Sequence, residues 1–131
     1  MIRQEFKIEH YWQVIVFYDL NFDLFRYIEE ELADIGFLSE DIEEIFYKMK
    51  YNAKAVTCSN ILYHISVVLF NPHTSSQDYL DSIVHEAEHV KQAMLEAYQV
   101  EDRGEPPAYT IGYLISQMYP VFRNIICGRC L

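Results

Sequence analysis

The chain is short of cysteine, of positive charge and of long apolar runs, and each shortage removes a class of protein. Three cysteines, Cys58, Cys127 and Cys130, are an odd number without a disulfide framework, as suits a reducing cytoplasm. Ten Lys and Arg stand against twenty Asp and Glu, a formal charge of −10. A phosphate backbone is repelled by that balance unless the positive side chains gather on one face, and they do not, so no nucleic-acid partner is expected. The apolar run "ISVVLF" is closed after six residues by "NPH", far below a membrane span. The opening "MIRQEFKIEHYWQVIVFYDL" carries charges throughout and lacks the features of a signal peptide. Internal repeats, low-complexity segments and linkers are missing too. At 131 residues, 51% of them hydrophobic, the expectation is one soluble, cytoplasmic domain spanning residues 1–131.

What is present reads as alternating blocks of strand and helix. "HYWQVIVFYDL" has aromatic and β-branched residues in near alternation and predicts a first strand. Phe22, Phe25, Ile28, Leu32 and Ile35 recur at helical spacing, with Gly36 placed to end that helix. Ser39 as N-cap, with Asp41 and Glu43 behind it, predicts a second helix to about Met49. "AKAVTCSNILYHISVVLFNP" holds two strand-like stretches about a turn near Ser59-Asn60, hence a hairpin. From a cap at Ser75 or Ser76, a long helix runs through "YQV" without Gly or Pro. Pro106 and Pro107 suit the first turn of a last helix, which Pro120 should kink or interrupt. The predicted order is β-α-α-β-β-α-α, of α+β class because strands and helices do not alternate one for one.

The long helix carries "HEAEH", residues His85 to His89. At about 100° per residue, Leu80, Ile83, Ala87, Val90, Met94 and Tyr98 share the side to be buried, and His85, His89, Gln92 and Glu96 lie nearly opposite. Residues four apart are neighbours on successive turns, so the two imidazoles can present nitrogens to one ion. Glu86, near the same cleft and off the apolar stripe, is placed to take a proton without ligating. Imidazole suits zinc, which lowers the pKa of a bound water toward about 7 and polarises a carbonyl. Two histidines do not complete such a site. The candidate third ligand is Glu105, at the turn where the chain doubles back into the last helix. Each piece has a plainer explanation: a histidine pair is often solvated surface, and a carboxylate before a helix meets the positive end of its dipole. "CGRC" (Cys127, Cys130) lacks the βαβ context of a redox motif and the second pair of a zinc ribbon, and reads as incidental thiols. His64 and His73 flank the hairpin's second strand and are assigned to no metal.

With "HEAEH" followed by a short turn and "EPPA", the chain resembles a small zincin of the gluzincin-like ImmA/IrrE type. In that family a Glu opening an E-x-x-A helix is the third zinc ligand. The resemblance implies a minimal zincin-like fold with one Zn²⁺ held by His85, His89 and Glu105, and Glu86 as general base of a metallopeptidase. The stretch from "AVTCSN" to "HEAEHV" is also similar to small hypothetical proteins of gut-bacterial phages and mobile elements. Together the likeness covers roughly residues 53 to 118. Glu88 stands where the family usually has a small residue, two prolines follow Glu105, and Tyr109 replaces an Asn. Tyr109, Tyr113 and Arg103 are near enough in sequence to donate to an oxyanion, and nothing selects among them.

Three readings follow. The first is zinc-dependent hydrolysis of an exposed segment of a peptide or protein partner. The second is a metal-stabilised binding module without turnover. The third is an acidic, metal-free interaction protein.

Overall fold

A run of β-branched and aromatic residues that is buried on both faces makes the centre of the molecule. In the computed structural model, which describes residues 1–9 and 11–129, β2 spans Trp12–Tyr18 and β4 spans Ile65–Phe70. The two pair in parallel, from Gln13 opposite Ile65 to Phe17 opposite Leu69. Alternation splits them between two cores: Val14, Val16, Val68 and Phe70 face one side, and Ile15, Phe17, Val67 and Leu69 the other. Each such side chain contributes about 1.5–3 kcal/mol through burial. Outside this pair lie β1 (Ile2–Ile8), antiparallel to β2, and β3 (Ala55–Asn60), antiparallel to β4. The sheet order is β1-β2-β4-β3, so β1 and β3 are the opposite edges.

Strand β1 is absent from the predicted order, which becomes β-β-α-α-β-β-α-α. Its sequence "IRQEFKI" carries a charge at every second position or so, because as an edge strand it exposes most of its side chains. The pattern of a buried strand was never there to be read. The α+β class holds, and the expected first strand is β2, its predicted His10 lying outside the described residues.

Helices cover both faces of the sheet. Helix α1 (Phe25–Asp34) buries Phe25, Ile28 and Leu32 on one face, and Gly36 ends its run at φ +92°, a conformation that strains any other residue. Helix α2 (Ser39–Tyr47) joins it with Ile42 and Ile45. Its cap is Leu38, not Ser39, and no side chain serves it. Instead of continuing to Met49 as an α-helix, the chain widens into a π-type turn over Lys48–Asn52, closed by Ala53 N–H donating to the Lys48 carbonyl at 2.7 Å.

The other face carries α3 (Ser76–Tyr98) and α4 (Glu105–Arg129). Ser75 caps α3, its hydroxyl accepting from the Asp78 N–H at 3.1 Å. Helix α4 begins at Glu105 with both prolines in its first turn, and it continues through Pro120 as one helix. Ile83, Ala87, Val90 and Met94 are buried as the spacing predicts, but Leu80 and Tyr98 are 38% and 41% exposed. They sit towards the two ends of α3. Among the described residues no helix is long and apolar enough to cross a membrane.

Candidate functional site

Helix α3 lies along the edge strand β3, and three contacts fix their relative direction. Near the start of both, Lys54 Nζ meets Asp78 Oδ1 at 2.7 Å. At mid-length, Thr57 Oγ1 donates to Glu86 Oε1 at 3.0 Å. At the far end, the Tyr98 hydroxyl reaches His64 Nδ1, just past β3, at 3.3 Å. The two elements therefore run side by side in the same sense. Between them opens a cleft of about 470 Å³ lined by Lys48, Thr57, His85, Glu86, His89 and Glu96, among others.

His85 and His89 stand one turn apart on the exposed side of α3, their Nε2 atoms 3.2 Å from each other. Two nitrogens about 2.0–2.1 Å from one tetrahedral ion are about 3.3–3.4 Å apart, so the pair fits two ligand positions of zinc. Glu86 is not off the buried stripe as the wheel suggested: it is only 5% exposed, at the boundary where the core meets the cleft. Thr57 holds Oε1, while Oε2 has no donor closer than His85 Nε2 at 4.0 Å. A buried carboxylate with so few partners is unusual, since burial normally requires full hydrogen bonding.

Glu105 is not gathered with the imidazoles. Among the described residues no group of three His, Cys, Asp or Glu side chains stands close enough to hold a metal. The reason lies in which flank of α3 the next helix takes. Helix α4 packs on α3 and on β1, the far edge of the sheet, and the connecting turn is tied down by Lys91, whose Nζ meets Asp102 Oδ1 at 2.9 Å. Lys91 is two residues beyond His89, about 200° round the helix, on the opposite flank. Farther along α4, the Tyr113 hydroxyl donates to the Lys7 carbonyl on β1 at 3.0 Å. Glu105 opens that helix and is exposed.

Two of the oxyanion candidates, Tyr109 and Tyr113, reach β1 or the residue just past it. Tyr109 is held up in pKa by a hydrogen bond to Glu9, Tyr113 is bound to β1, and Arg103 Nε pairs with Glu101 at 2.6 Å. None lines the cleft. His64 stacks on Trp12 beneath Tyr98, and His73 is buried with Nε2 2.8 Å from Ser82 Oγ. Both are structural. Cys127, read as an incidental thiol, is exposed and free; Cys130, the other cysteine of "CGRC", lies outside the described residues. Cys58 is buried, and that burial pushes its thiol pKa up to about 12, which makes it inert.

Two cleft residues escaped the sequence reading. Thr57 had a signal, since Ala55, Thr57 and Ser59 alternate with Val56 and Cys58 and so share one face of β3. Lys48 had none: it enters the cleft through the π-type turn.

No protein-family model, curated protein or solved structure matches the chain. Fold and cleft define it by themselves: an α+β protein with two imidazoles and a buried carboxylate facing one edge strand.

Proposed function

We propose that this protein is a zinc-dependent peptide hydrolase of minimal zincin-like type, in which His85 and His89 hold the ion and Glu86 is the general base. The observation that carries it is the Nε2 separation of 3.2 Å beside a buried carboxylate on the same helix. When bound, zinc supplies Lewis-acid polarisation of a carbonyl and acidifies water. The chain's own part is proton transfer. Glu86, oriented through Oε1 by Thr57, accepts a proton on Oε2 and returns it to the leaving amine. An exposed segment of a partner protein is the natural substrate, because the cleft is open along its length and little of the chain stands beyond β3 to enclose a small molecule. Zinc is preferred on ligand type, and a cytoplasmic setting on the unpaired thiols.

The test pairs two variants with metal counted per chain. Glu86→Gln keeps zinc and loses peptide hydrolysis by about 10²–10⁴-fold. His89→Ala loses both. An unchanged hydrolysis rate in Glu86→Gln overturns the reading.

A second reading, a metal-stabilised binding module without turnover, is supported by the lack, among the described residues, of a third carboxylate, imidazole or thiol gathered with the two histidines. Under it, zinc raises the melting temperature of the parent protein while no peptide is cut.

A further inference from the structure

The cleft has a charge at each end, and the charges are of opposite sign. Lys48 sits where β3 begins, since its carbonyl receives the Ala53 N–H two residues before the strand. Glu96 sits at the other end, eleven residues beyond His85 on α3, about 16 Å along the helix axis. Both line the cleft and both are exposed.

Neither charge is spent inside the protein. Among the described residues Lys48 has only Glu44, at 3.3 Å on the same turn of chain, and both of those side chains are more than half exposed. Such a pair is worth little and exchanges readily. The Glu96 carboxylate makes no hydrogen bond or ion pair among the described residues. Nearby charges that could cancel them are engaged elsewhere: Glu88 with Lys91 at 2.6 Å, and Lys54 with Asp78.

The wall between these charges is the outer edge of β3, which pairs with β4 only and so keeps a row of free backbone N–H and C=O groups. We propose that the cleft selects an extended peptide of dipolar charge, with a basic residue against Glu96 and an acidic residue against Lys48. The cleft runs along β3 and its end from Ala55 to Ile61, so the two lie about six residues or fewer apart. Antiparallel addition to β3 is the more stable pairing and runs from the Glu96 end to the Lys48 end. The basic residue is therefore the N-terminal one. This preference rests on the peptidase reading of the same cleft and names its substrate class.

The experiment measures binding, with hydrolysis kept out of it. Full-length Glu86→Gln protein loaded with zinc is titrated into two fluorescent peptides of about ten residues. One has lysine five positions before glutamate and the other has the order reversed, and binding is read by fluorescence anisotropy. The lysine-first peptide is expected to bind about tenfold tighter, two exposed ion pairs being exchanged for two repulsions. Adding Lys48→Glu and Glu96→Lys together, both at exposed positions, inverts the preference, and high salt flattens it in either protein. Equal binding of the two peptides, binding of neither, or a preference indifferent to the charge swap overturns the proposal. The zinc count on the same samples is independent: a chain without zinc that still prefers the lysine-first peptide removes the peptidase reading and leaves this one standing.

Discussion

The two flanks of α3 each bury one charged residue, and they treat it in opposite ways. On the α4 side, Lys91 is 7% exposed and is met by two carboxylates, Glu88 at 2.6 Å and Asp102 at 2.9 Å. Burial pulls its pKa down, but the two hydrogen-bonded carboxylates more than offset that and the net shift is upward. On the β3 side, Glu86 is 5% exposed and is met by one neutral hydroxyl, Thr57. A charge surrounded by opposite charges is finished business: it ties the α3–α4 turn in place and can do nothing further. The carboxylate with a single neutral donor keeps one oxygen without a close partner among the described residues, and it faces an open cleft with two imidazoles. The difference separates a buried charge that is fully paired from one that is not.

The sharpest way to break that comparison is to take away Glu86's one donor. Thr57→Val keeps the shape of the side chain and removes the hydroxyl, and it should lower peptide hydrolysis about tenfold while zinc stoichiometry stays the same. Thr57→Ser, which restores the donor, should recover most of the rate. Steady-state kinetics of the three proteins with metal counted in each decides it; a Thr57→Ser protein as slow as Thr57→Val would show that shape, not the hydrogen bond, matters.

Removing the charge on the other flank should act on stability alone. Lys91→Met keeps the buried stem and loses both ion pairs, whose carboxylates are nearly half exposed, so the cost is about 1 kcal/mol after solvent screening. Chemical denaturation reads that cost. Hydrolysis per folded molecule should be unchanged, and a loss of rate without a loss of stability would mean that the two flanks are coupled.

Much of this was legible in the sequence, for reasons that differ from element to element. Helix α3 announces itself because Ser75, the 3.6-residue apolar repeat and the lack of Gly or Pro all agree. The His85–His89 pairing follows from helix geometry alone. What sequence does not carry is the far side of a turn. Periodicity says that Glu105 opens a helix; it does not say whether that helix returns on the His89 flank or the Lys91 flank of α3, because both satisfy the same apolar stripe. The deciding contacts, Lys91 with Asp102 and Tyr113 with Lys7, are long-range polar ones without a pattern in sequence. Likewise β1 was hidden by its own exposure, and Lys48 by a backbone turn one residue wider than an α-helix.

Glu105 offers a finer test of the same flank assignment. Glu105→Gln removes a carboxylate from the first turn of α4, where it meets the helix dipole, so stability should fall by about 0.3–1 kcal/mol. Zinc stoichiometry and affinity should not move, as isothermal titration of parent and variant will show. Zinc lost along with the carboxylate would put Glu105 back among the ligands and require α4 to swing across α3 when metal binds.

The smallest expected effect belongs to the clamp that starts the cleft. Lys54 holds Asp78 at 2.7 Å, and chiefly through that hydrogen bond the Asp78 carboxyl lies below its ordinary pKa. For an acid whose folded pKa is depressed, the stabilisation is fully present above the unfolded value of about 3.9 and is lost as pH falls through the folded one. Asp78 is also the first-turn acid of α3, so its charge favours the helix start in the same pH range. Asp78→Asn should therefore melt slightly below the parent at neutral pH and converge with it as the pH falls through the lowered folded value. Thermal melts of both proteins across that range measure the convergence. Curves that stay parallel at every pH would assign the clamp to packing and not to charge, and would leave the Thr57–Glu86 hydrogen bond as the main polar tie between α3 and β3.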